Sequence, residues 1–461
     1  VFQFPAAVYS SIQTWRGMDA EFSDFVTQQI LNSACVSAQI SFFASIVIVM
    51  AVFGYLCNSR TCGMIHSFPV RRETVFCTFA LTGLFPMLLA DFLTALLAKA
   101  LFGPVTPAGL IAQWLKMTLM SNVAFYGFGV FCAMLTGSLF ILPLVYLVLN
   151  FTAVVVETAL HSLLGTFLYG YSPSSQSISI LSPGQIVLFR LWVAYTGENP
   201  ENGMSAYSIT NLSSLTIYCV AGVVFLIFAL LLYRKRRMEA AGDTIAIPVL
   251  KPVFKYCMAF GTALVLASFV TGEFFDRTLH SAPAAILAAA LLLIGALIGY
   301  YAAEMLMQRT MQVFFSHWKG LLIVWAILLV SSFCCEKDIL GYETHLPDPS
   351  EVESVDMHTY GSSVMKDPQN IADAVALHRT IIDHKAEQEN KLDITYGTQV
   401  NFEYLLKNGK TLHRTYTLAS GSEEYEARGD LYRVQELLNR PEAILSRNRS
   451  NVEVIPENIV R

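Results

Sequence analysis

"LMSNVAFYGFGVFCAMLTGSLFILPLVYLVLNFTAVVVETALHSLLGTFLYG", residues 119–170, decides how this 461-residue chain is organised. A membrane-spanning helix needs about 20 apolar residues, so the stretch has room for two spans. Pro143 lacks a backbone N–H and interrupts a helix, so we place the break there and expect spans at 119–144 and 146–170. If the stretch were a single span, every later connection would lie on the other side of the membrane.

The composition is typical of an integral membrane protein. Apolar residues make up 54% of the chain. Charged residues make up 14%, well below the roughly 25% that is usual in soluble domains. The net charge of -5 and the lack of a long basic run argue against binding to nucleic acid. The nine cysteines are scattered without a CxxC spacing, so we interpret them as small buried side chains and predict no metal site.

Other apolar runs predict further spans. They lie at about 36–57, 74–102, 213–233, 254–273, 282–303 and 318–335. The opening "VFQFPAAVY" has no charged segment or cleavage site before it, which is not typical of a signal peptide. We interpret residues 1–9 as the end of a truncated first helix. The predicted fold class is an all-α polytopic membrane bundle of about eight or nine transmembrane helices in residues 1–335, followed by an α+β domain.

The distribution of Lys and Arg predicts the orientation in the cell membrane, because short cytoplasmic loops are enriched in both residues. Eleven of them lie in one set of loops and span ends: Arg60, Arg71, Arg72, Arg234, Lys235, Arg236, Arg237, Lys251, Lys255, Arg309 and Lys319. Five lie in the opposite set: Arg16, Lys99, Lys116, Arg190 and Arg277. We therefore expect 58–73, 234–253 and 304–317 in the cytoplasm. The connections 10–35, 103–118, 171–212 and 274–281 are then outside, as is the tail.

The tail, residues 336–461, has a different composition and contains no apolar span. "VNFEYLLKNGKTLHRTYTL" (400–418) predicts a β-hairpin, because Asn-Gly suits a turn whose two central residues have positive φ. Residues 370–388 show helical periodicity, and Pro441 interrupts a second helical pattern at 429–444. One face of the first helix carries Ile371, Val375, His378 and Ile382, with Ala374 and Ile381 beside it. We predict a small extracytoplasmic α+β domain.

The loop "GMIHSFPVRRETVF" (63–76) combines a sharp turn, apolar side chains and charge. Pro69 suits the first turn of a new helix, and Ser67 before it is a plausible N-cap. Two arginines at a cytoplasmic span end are also what the positive-inside rule expects. That rule leaves Met64, Ile65, His66 and Phe68 unexplained. These residues are typical of an interfacial segment to which a cytoplasmic partner docks.

The residues around this loop resemble a known family. "YLCNSRTCGMIHSFPVRRETVF" (55–76) is similar to the first cytoplasmic loop of ABC-2-type transporter permeases, in which S-x-P-[IV]-x-R-E follows the second membrane helix. "LLLYRKRRMEAAGDTIAIPVLKPVFKY" (230–256) resembles the second cytoplasmic loop of a Gram-positive bacterial group of these permeases. That group has a large extracellular C-terminal domain, and the segment 400–418 is similar to a hairpin of that domain.

The resemblance implies that this loop is a coupling helix seated in a groove of a separate ATPase subunit. Ile65 and Phe68 would supply apolar contact, and Arg71 and Arg72 would pair with acidic groups at the groove's edge. Two permeases, identical or different, would form a dimer in the lipid bilayer. The implied ATPase-coupling residues are Gly63, Met64, Ile65, His66, Ser67, Phe68, Pro69, Val70, Arg71, Arg72 and Glu73.

Motifs for catalysis are missing from the sequence. It contains no GxxxxGK[ST], HExxH or GxSxG, so we expect no catalytic, cofactor-binding or metal residues on this chain. ATP and Mg²⁺ would then bind to the partner ATPase. The chain is expected to be a transport subunit and not an enzyme by itself.

Charged residues inside spans need a reason, because a charge at the bilayer centre costs about 2.5–3.5 kcal/mol on insertion scales. Asp91 lies in the middle of a span, and Glu157 and His161 share one helical face. They either line a translocation pathway or satisfy one another and the backbone within the bundle. For another set we expect simple placement at the membrane interface: Glu273, Asp276, Glu304 and Arg309.

Two function classes remain open at this point. The chain is either an ABC transporter permease or a membrane-anchored sensor or scaffold whose outer domain binds a ligand. A membrane enzyme is a distant third, because no motif supports it. The glycine-containing runs 125–137 and 293–304 favour close helix packing over gating motion. The apolar bundle is compatible with lipid, peptide, polysaccharide or small-molecule substrates.

Overall fold

The computed structural model is mostly helical and divides into two compact units. It describes residues 19–102, 106, 109–172, 178–198, 205–236, 241–274, 282–308, 310, 318–339, 341–359, 362–392, 397–420 and 429–452. Predictions for residues 1–9, Arg16, Arg237, Asp276, Arg277 and Arg309 lie outside these residues. The first unit comprises residues 1–155, 178–254 and 306–309, and the second comprises 156–177, 255–305 and 310–461.

Eight helices of the described chain are long and apolar enough to cross a membrane. In chain order the helices up to the tail, including the short α2, are α1 (Asp19–Phe53), α2 (Ser59–His66), α3 (Arg72–Phe102), α4 (Leu110–Leu135), α5 (Ile141–Phe167), α6 (Leu212–Lys235), α7 (Leu250–Phe274), α8 (Ala282–Gln308) and α9 (Trp318–Glu336). The polytopic helical bundle expected from the sequence is therefore present, with eight candidate spans.

The stretch 119–170 does form the ends of two helices, as predicted, but the break is not at Pro143. α4 ends at Leu135, and α5 begins at Ile141. Pro143 lies in the first turn of α5, where its missing N–H would have no helical partner in any case. The chain turns instead at Thr136–Phe140, where the Thr136 hydroxyl oxygen accepts a hydrogen bond of 3.2 Å from the Ser138 N–H.

Two predicted loops are shorter than expected. α1 extends back to Asp19, although the apolar run alone indicated a start near 36, and α4 begins at Leu110. Lys116 therefore lies within α4 and not in a loop. The described part of the connection 171–212 contains three short helical segments, Ile178–Leu181, Pro183–Gln185 and Ile186–Arg190, and an antiparallel hairpin of β1 (Val193–Glu198) and β2 (Ser205–Ile209).

The core of the first unit is formed by aromatic side chains and close helix contacts. Phe42 packs edge-to-face on Phe125, and the Tyr146 hydroxyl donates 2.9 Å to the Phe42 carbonyl. α4 and α6 approach so closely at Gly127 and Gly222 that a Cβ on Gly222 would lie 2.6 Å from the Ala124 Cα. The prediction that the run 125–137 serves helix packing is confirmed.

The second unit repeats this principle with smaller side chains. Ala259, Ala263 and Ala267 of α7 are fully buried in a core shared with alanines of α8. A Cβ on Gly295 would lie 2.7 Å from the Ala263 Cα, so α7 and α8 are in backbone contact. The run 293–304 is therefore also a packing segment, as predicted.

The tail forms the sheet domain, an α+β domain in the second unit. A four-stranded antiparallel sheet has the order β4–β3–β5–β6. The elements are β3 (Val352–His358), β4 (Ser362–Met365), α10 (Pro368–Asp383), α11 (Lys385–Leu392), β5 (Gly397–Leu406), β6 (Thr411–Ala419), α12 (Asp430–Leu438) and α13 (Pro441–Val452). The α+β class and the hairpin 400–418 agree with expectation, whereas the predicted helix 370–388 divides at His384 into α10 and α11. The boundary predicted between 335 and 336 stays a prediction.

The turn of the predicted hairpin differs in type from the expected one. The Gly409 N–H bonds the Leu406 carbonyl at 2.8 Å, and Gly409 has a φ of 78°. Asn408 does not have positive φ. The connection is therefore a type I turn followed by a left-handed glycine, which also joins two strands in register. The sequence identified the hairpin because both turn types favour Asn-Gly.

Candidate functional site

The predicted coupling loop folds as the helix α2 followed by a turn. The Asn58 side chain accepts 3.0 Å from the Arg60 N–H and caps the start of α2. Ser67 ends the helix, since its N–H bonds the Gly63 carbonyl at 3.1 Å. The prediction of a helix starting near Pro69 with Ser67 as its N-cap is therefore wrong. Asn58 supplies an earlier cap, and Pro69 lies in the turn before α3.

Side-chain hydrogen bonds attach this loop to the end of α6. His66 Nε2 and the Tyr233 hydroxyl are 2.9 Å apart, and the same hydroxyl lies 3.1 Å from that of Tyr55. Arg72 donates 3.3 Å to the carbonyls of Arg234 and Arg236. These contacts hold the C-terminal end of α2 and the start of α3 against the end of α6.

An ion pair adds a third link between the loop and α6. Arg234 Nε lies 3.1 Å from Glu73 Oε1, and both side chains are about half exposed. Such an exposed pair contributes only about 0–1 kcal/mol. It fixes the position of the arginine more than it stabilises the fold.

Arg236 is the central polar group of this end of the first unit. Its guanidinium donates to four carbonyls, those of Ala133 (2.8 Å), Met134 (3.3 Å), Thr136 (2.9 Å) and Leu56 (3.3 Å). Three of them belong to the C-terminal end of α4, whose last carbonyls lack helical partners and carry partial negative charge. Burial lowers the pKa of Arg236. The sequence alone indicates only a topology role for this residue, because its four acceptors lie far away along the chain.

The loop after α6 packs against the α4–α5 turn. The Gly137 N–H donates 2.9 Å to the Asp243 carbonyl, and the Gly242 N–H donates 2.7 Å to the Gly137 carbonyl. The Thr244 hydroxyl donates 2.7 Å to the carbonyl of Leu306 at the end of α8. Three connections that the two-span interpretation places on the cytoplasmic side of the membrane therefore meet at one end of the first unit. They are 58–71, 136–140 and 241–246, and we call this end of the first unit the loop end. This is the arrangement that two spans in 119–170 require.

Three apolar side chains of the coupling loop are left uncovered. Met64, Phe68 and Val70 are 60%, 59% and 50% exposed, and together we call them the loop surface. Ile65 and His66 are half-buried. The remaining exposed residues of the predicted set are Gly63, Ser67, Pro69, Arg71 and Arg72. Ile65 is thus less accessible than predicted, and Arg72 already bonds carbonyls of its own chain.

The predicted pathway residue Asp91 has a partner in the first unit. The Asn122 side-chain amide of α4 donates 2.5 Å to Asp91 Oδ2. Asn122 is buried and Asp91 half-buried. Such a partner is what we expect if Asp91 is satisfied within the helix bundle. A role for Asp91 in a translocation pathway stays a prediction.

Glu157 and His161 also interact, within the second unit. Glu157 Oε1 lies 3.9 Å from His161 Nε2, and His161 Nδ1 shares a hydrogen bond with the Tyr171 hydroxyl. The Glu157 side chain is only 9% exposed. A role for this pair in the pathway is likewise still a prediction.

A buried ion pair between α7 and α8 was missed. Lys255 Nζ donates 2.8 Å to Glu304 Oε1, and the ammonium lies 4.9 Å from the ring centre of Tyr300. The two charged side chains are 15% and 4% exposed. Simple interface placement of Glu304 is therefore wrong. The sequence contains no signal for the pair, because the partners are far apart along the chain.

A second missed feature is the segment 178–192, which packs against the middle of α5. The Ser182 hydroxyl oxygen accepts 2.8 Å from the Val154 N–H, and Gly184 packs against the Phe151 ring. The Tyr218 hydroxyl donates 2.7 Å to the Ile180 carbonyl. Irregular backbone at membrane depth needs such protein cover. The Pro183–Gly184 dipeptide in an apolar context was the available signal.

No group of three or more His, Cys, Asp or Glu side chains suited to a metal ion occurs in the part of the chain that the structure describes. Comparison with family models, with curated proteins and with solved structures gives no match. The geometry of the loop end of the first unit is therefore the basis of the function that we propose.

Proposed function

We propose that the chain is the multi-pass permease subunit of an ABC transporter, which exports its substrate across the cell membrane. A separate ATPase subunit binds and hydrolyses ATP with Mg²⁺. A second permease, identical or different, completes the pathway. The observation that carries this proposal is the loop surface of Met64, Phe68 and Val70 on a segment that is held at both ends.

An exposed apolar surface needs an occupant, and the charges around it favour a protein. The loops that meet here and the helix ends beside them contain six of the eleven Lys and Arg residues that predict the cytoplasmic side: Arg60, Arg71, Arg72, Arg234, Lys235 and Arg236. Arg71 is exposed beside Val70, so an acidic rim on a partner would meet it. An apolar centre with a polar rim is the usual anatomy of a protein interface.

The contacts behind the loop surface suit a device that passes on movement. Arg72 and His66 bond the end of α6, and Arg236 bonds the end of α4. A displacement of α2 by a partner would therefore act on both helices through short polar contacts. An ATPase that changes shape during its cycle is a partner for which such stiffness is useful.

The experiment uses the double variant Met64→Ser, Phe68→Ser and the ATPase encoded beside this chain's gene. Fully burying a large apolar side chain is worth about 1.5–3 kcal/mol. Each side chain is already partly covered, so we expect a loss of roughly tenfold or more in affinity. Co-purification and ATP turnover in nanodiscs are the measurements. Leu181→Ser, an equally exposed change in the segment before α6, is the matched control.

Full recovery of a stimulated complex from the double variant would contradict the coupling role. Loss of the complex from the Leu181→Ser control as well would indicate a general folding defect. A melting temperature close to that of the parent protein shows that the loop variant keeps its fold.

The alternative is a membrane-anchored sensor or scaffold whose outer domain binds a ligand. The direct contact between the sheet domain and the end of α5 favours it, because a ligand-induced change would reach a membrane helix. The same turnover measurement separates the two functions, since a sensor would not raise ATP hydrolysis by the ATPase.

A further inference from the structure

The end of α5 takes part in the core of the sheet domain. Tyr169, two residues beyond α5, is 5% exposed and belongs to the same apolar core as the sheet. Its ring centre lies 5.0 Å from that of Tyr416 on β6. Lys385 of α11 lies over the Tyr169 ring, and its Nζ is 5.5 Å from the ring centre. The turn directly after α5 therefore supplies one of the core side chains of the domain.

Backbone hydrogen bonds fix this contact. The Tyr169 N–H donates 2.8 Å to Glu343 Oε1, and the Thr415 N–H donates 3.3 Å to the Gly170 carbonyl. Gly170 has a φ of 73°, and a Cβ there would collide with the Tyr416 ring. The close approach therefore requires glycine.

Glu343 is held in place by a second partner. Its carboxylate is 2.9 Å from Lys385 Nζ and is nearly buried. It lies after α9 in the chain, so the carboxylate connects the end of α5 with the segment leading into the sheet. Hydrogen bonds to a charged group are among the stronger ones in proteins.

A second row of contacts leads from the same place into α5. The Tyr171 hydroxyl bonds His161, which faces Glu157 one turn earlier. The Tyr171 ring lies 5.8 Å from that of Tyr342. The Arg414 guanidinium is 3.9 Å from the Tyr342 ring centre. The polar pair of α5 is thus in continuous contact with β6.

We propose that the sheet domain controls the C-terminal half of α5 through this α5 joint, defined as Tyr169, Gly170, Tyr171, Glu343 and Arg414. Glu343 is the positioning residue, because its carboxylate accepts the hydrogen bond from the Tyr169 N–H just beyond the helix. A change in the domain alters the contacts of Tyr171 with His161 and so reaches the polar pair. The proposal goes beyond the transport function and holds with or without an ATPase.

Hydrogen exchange of the full chain in lipid nanodiscs tests the joint, read in peptides covering 157–172 and 397–419. Glu343→Ala removes the acceptor of the Tyr169 N–H, and we expect exchange to rise about tenfold at the end of α5, the order for one charge-assisted hydrogen bond. Tyr171→Phe keeps the ring but removes the bond to His161, and we expect faster exchange in 157–172 only.

Glu353→Ala, an exposed carboxylate on β3, and Tyr195→Phe, an exposed tyrosine on β1, are the matched controls and should leave both peptides unchanged. Lys385→Ala, which removes the ion pair that holds the Glu343 carboxylate in place, is the milder variant if Glu343→Ala fails to fold, and we expect a smaller rise in exchange at 157–172. Unchanged exchange at 157–172 in a folded Glu343 or Lys385 variant would overturn the joint. That outcome would not affect docking of an ATPase to the loop surface.

Discussion

The loop end of the first unit and the sheet domain differ in which polar and apolar side chains they bury. At the loop end a buried arginine satisfies backbone carbonyls, while Met64 and Phe68 are left exposed. In the sheet domain a histidine is fully buried: His378 lies 2.9 Å from the Tyr404 hydroxyl and 2.7 Å from that of Tyr416. The first region thus leaves apolar side chains exposed around a satisfied polar centre, whereas the second has a closed core of its own.

The largest expected effect is all-or-none and concerns the sides on which the two regions lie. Lys407 and Lys410 are exposed in the hairpin turn, and Arg71 is exposed in the loop. Because we propose that the sheet domain is extracytoplasmic, trypsin added to intact cells should cut the domain and spare the loop. Immunoblots with tags on the fragments measure this. Cleavage of the domain only after lysis would reverse the orientation.

Arg236→Met should break the loop end most strongly. The change leaves four backbone carbonyls, three of them at the end of α4, without their donor, and each buried acceptor left unsatisfied costs about 1–3 kcal/mol, so we expect a loss of several kcal/mol. Thermal unfolding in detergent measures the loss. Arg234→Met removes only a half-exposed pair and should cost about 0–1 kcal/mol. Equal effects of the two variants would contradict the central role of Arg236.

Tyr416→Phe should break the closed core of the sheet domain. It leaves His378 Nε2 buried without its partner, which typically costs about 1–3 kcal/mol. Tyr432→Phe, on the partly exposed side of α12, is the control and should be close to neutral. Hydrogen exchange of the β6 amides at increasing denaturant concentration measures the loss. A neutral Tyr416→Phe would show that the histidine does not need this hydroxyl.

Acid should destabilise the sheet domain through His378. Burial, with a smaller contribution from Arg414, lowers the pKa of His378 from its usual 6.5 to about 3. The unfolded chain binds the proton between these values and the folded chain does not. The contribution of His378 to the free energy of unfolding is therefore fully present above about pH 6.5. It falls by about 1.4 kcal/mol per pH unit on acidification toward pH 3.

Unfolding of the sheet domain at stepped pH measures this slope. A His378→Gln variant should lose this contribution and show a flatter profile. An equally steep profile in the variant would assign the acid sensitivity to other groups, among them Glu442, whose pKa is lowered by hydrogen bonds from the backbone and Asn370.

Arg71→Ala should have the smallest effect and sharpens the interpretation of the loop surface. An exposed ion pair with a partner is worth about 0–1 kcal/mol and weakens as salt increases. We expect a mild, salt-dependent loss of ATPase affinity from titrations at two ionic strengths. A loss as large as that of the Met64→Ser, Phe68→Ser variant would mean that charge, and not apolar contact, dominates docking.

Local patterns were enough to predict several elements. Apolar runs of sufficient length identified the eight spans, and Asn408–Gly409 identified the hairpin. The periodicity of 370–388 placed Ile371, Ala374, His378 and Ile381 on the buried face of α10. These features depend on neighbours a few residues apart, which the sequence contains directly. The break between α4 and α5 was predicted at the wrong position because proline is equally acceptable in the first turn of a helix, where Pro143 lies.

By itself, the sequence determined the positions of the eight long apolar helices that suit a membrane and the α+β character of the tail, since composition and short-range periodicity control burial and secondary structure. Only the tertiary structure decided which polar groups meet. Arg236 finds the end of α4, Lys255 finds Glu304, and Tyr169 enters the core of the sheet domain. Each of these contacts joins residues far apart in the chain, and their energies depend on a burial that exists only once the helices have packed.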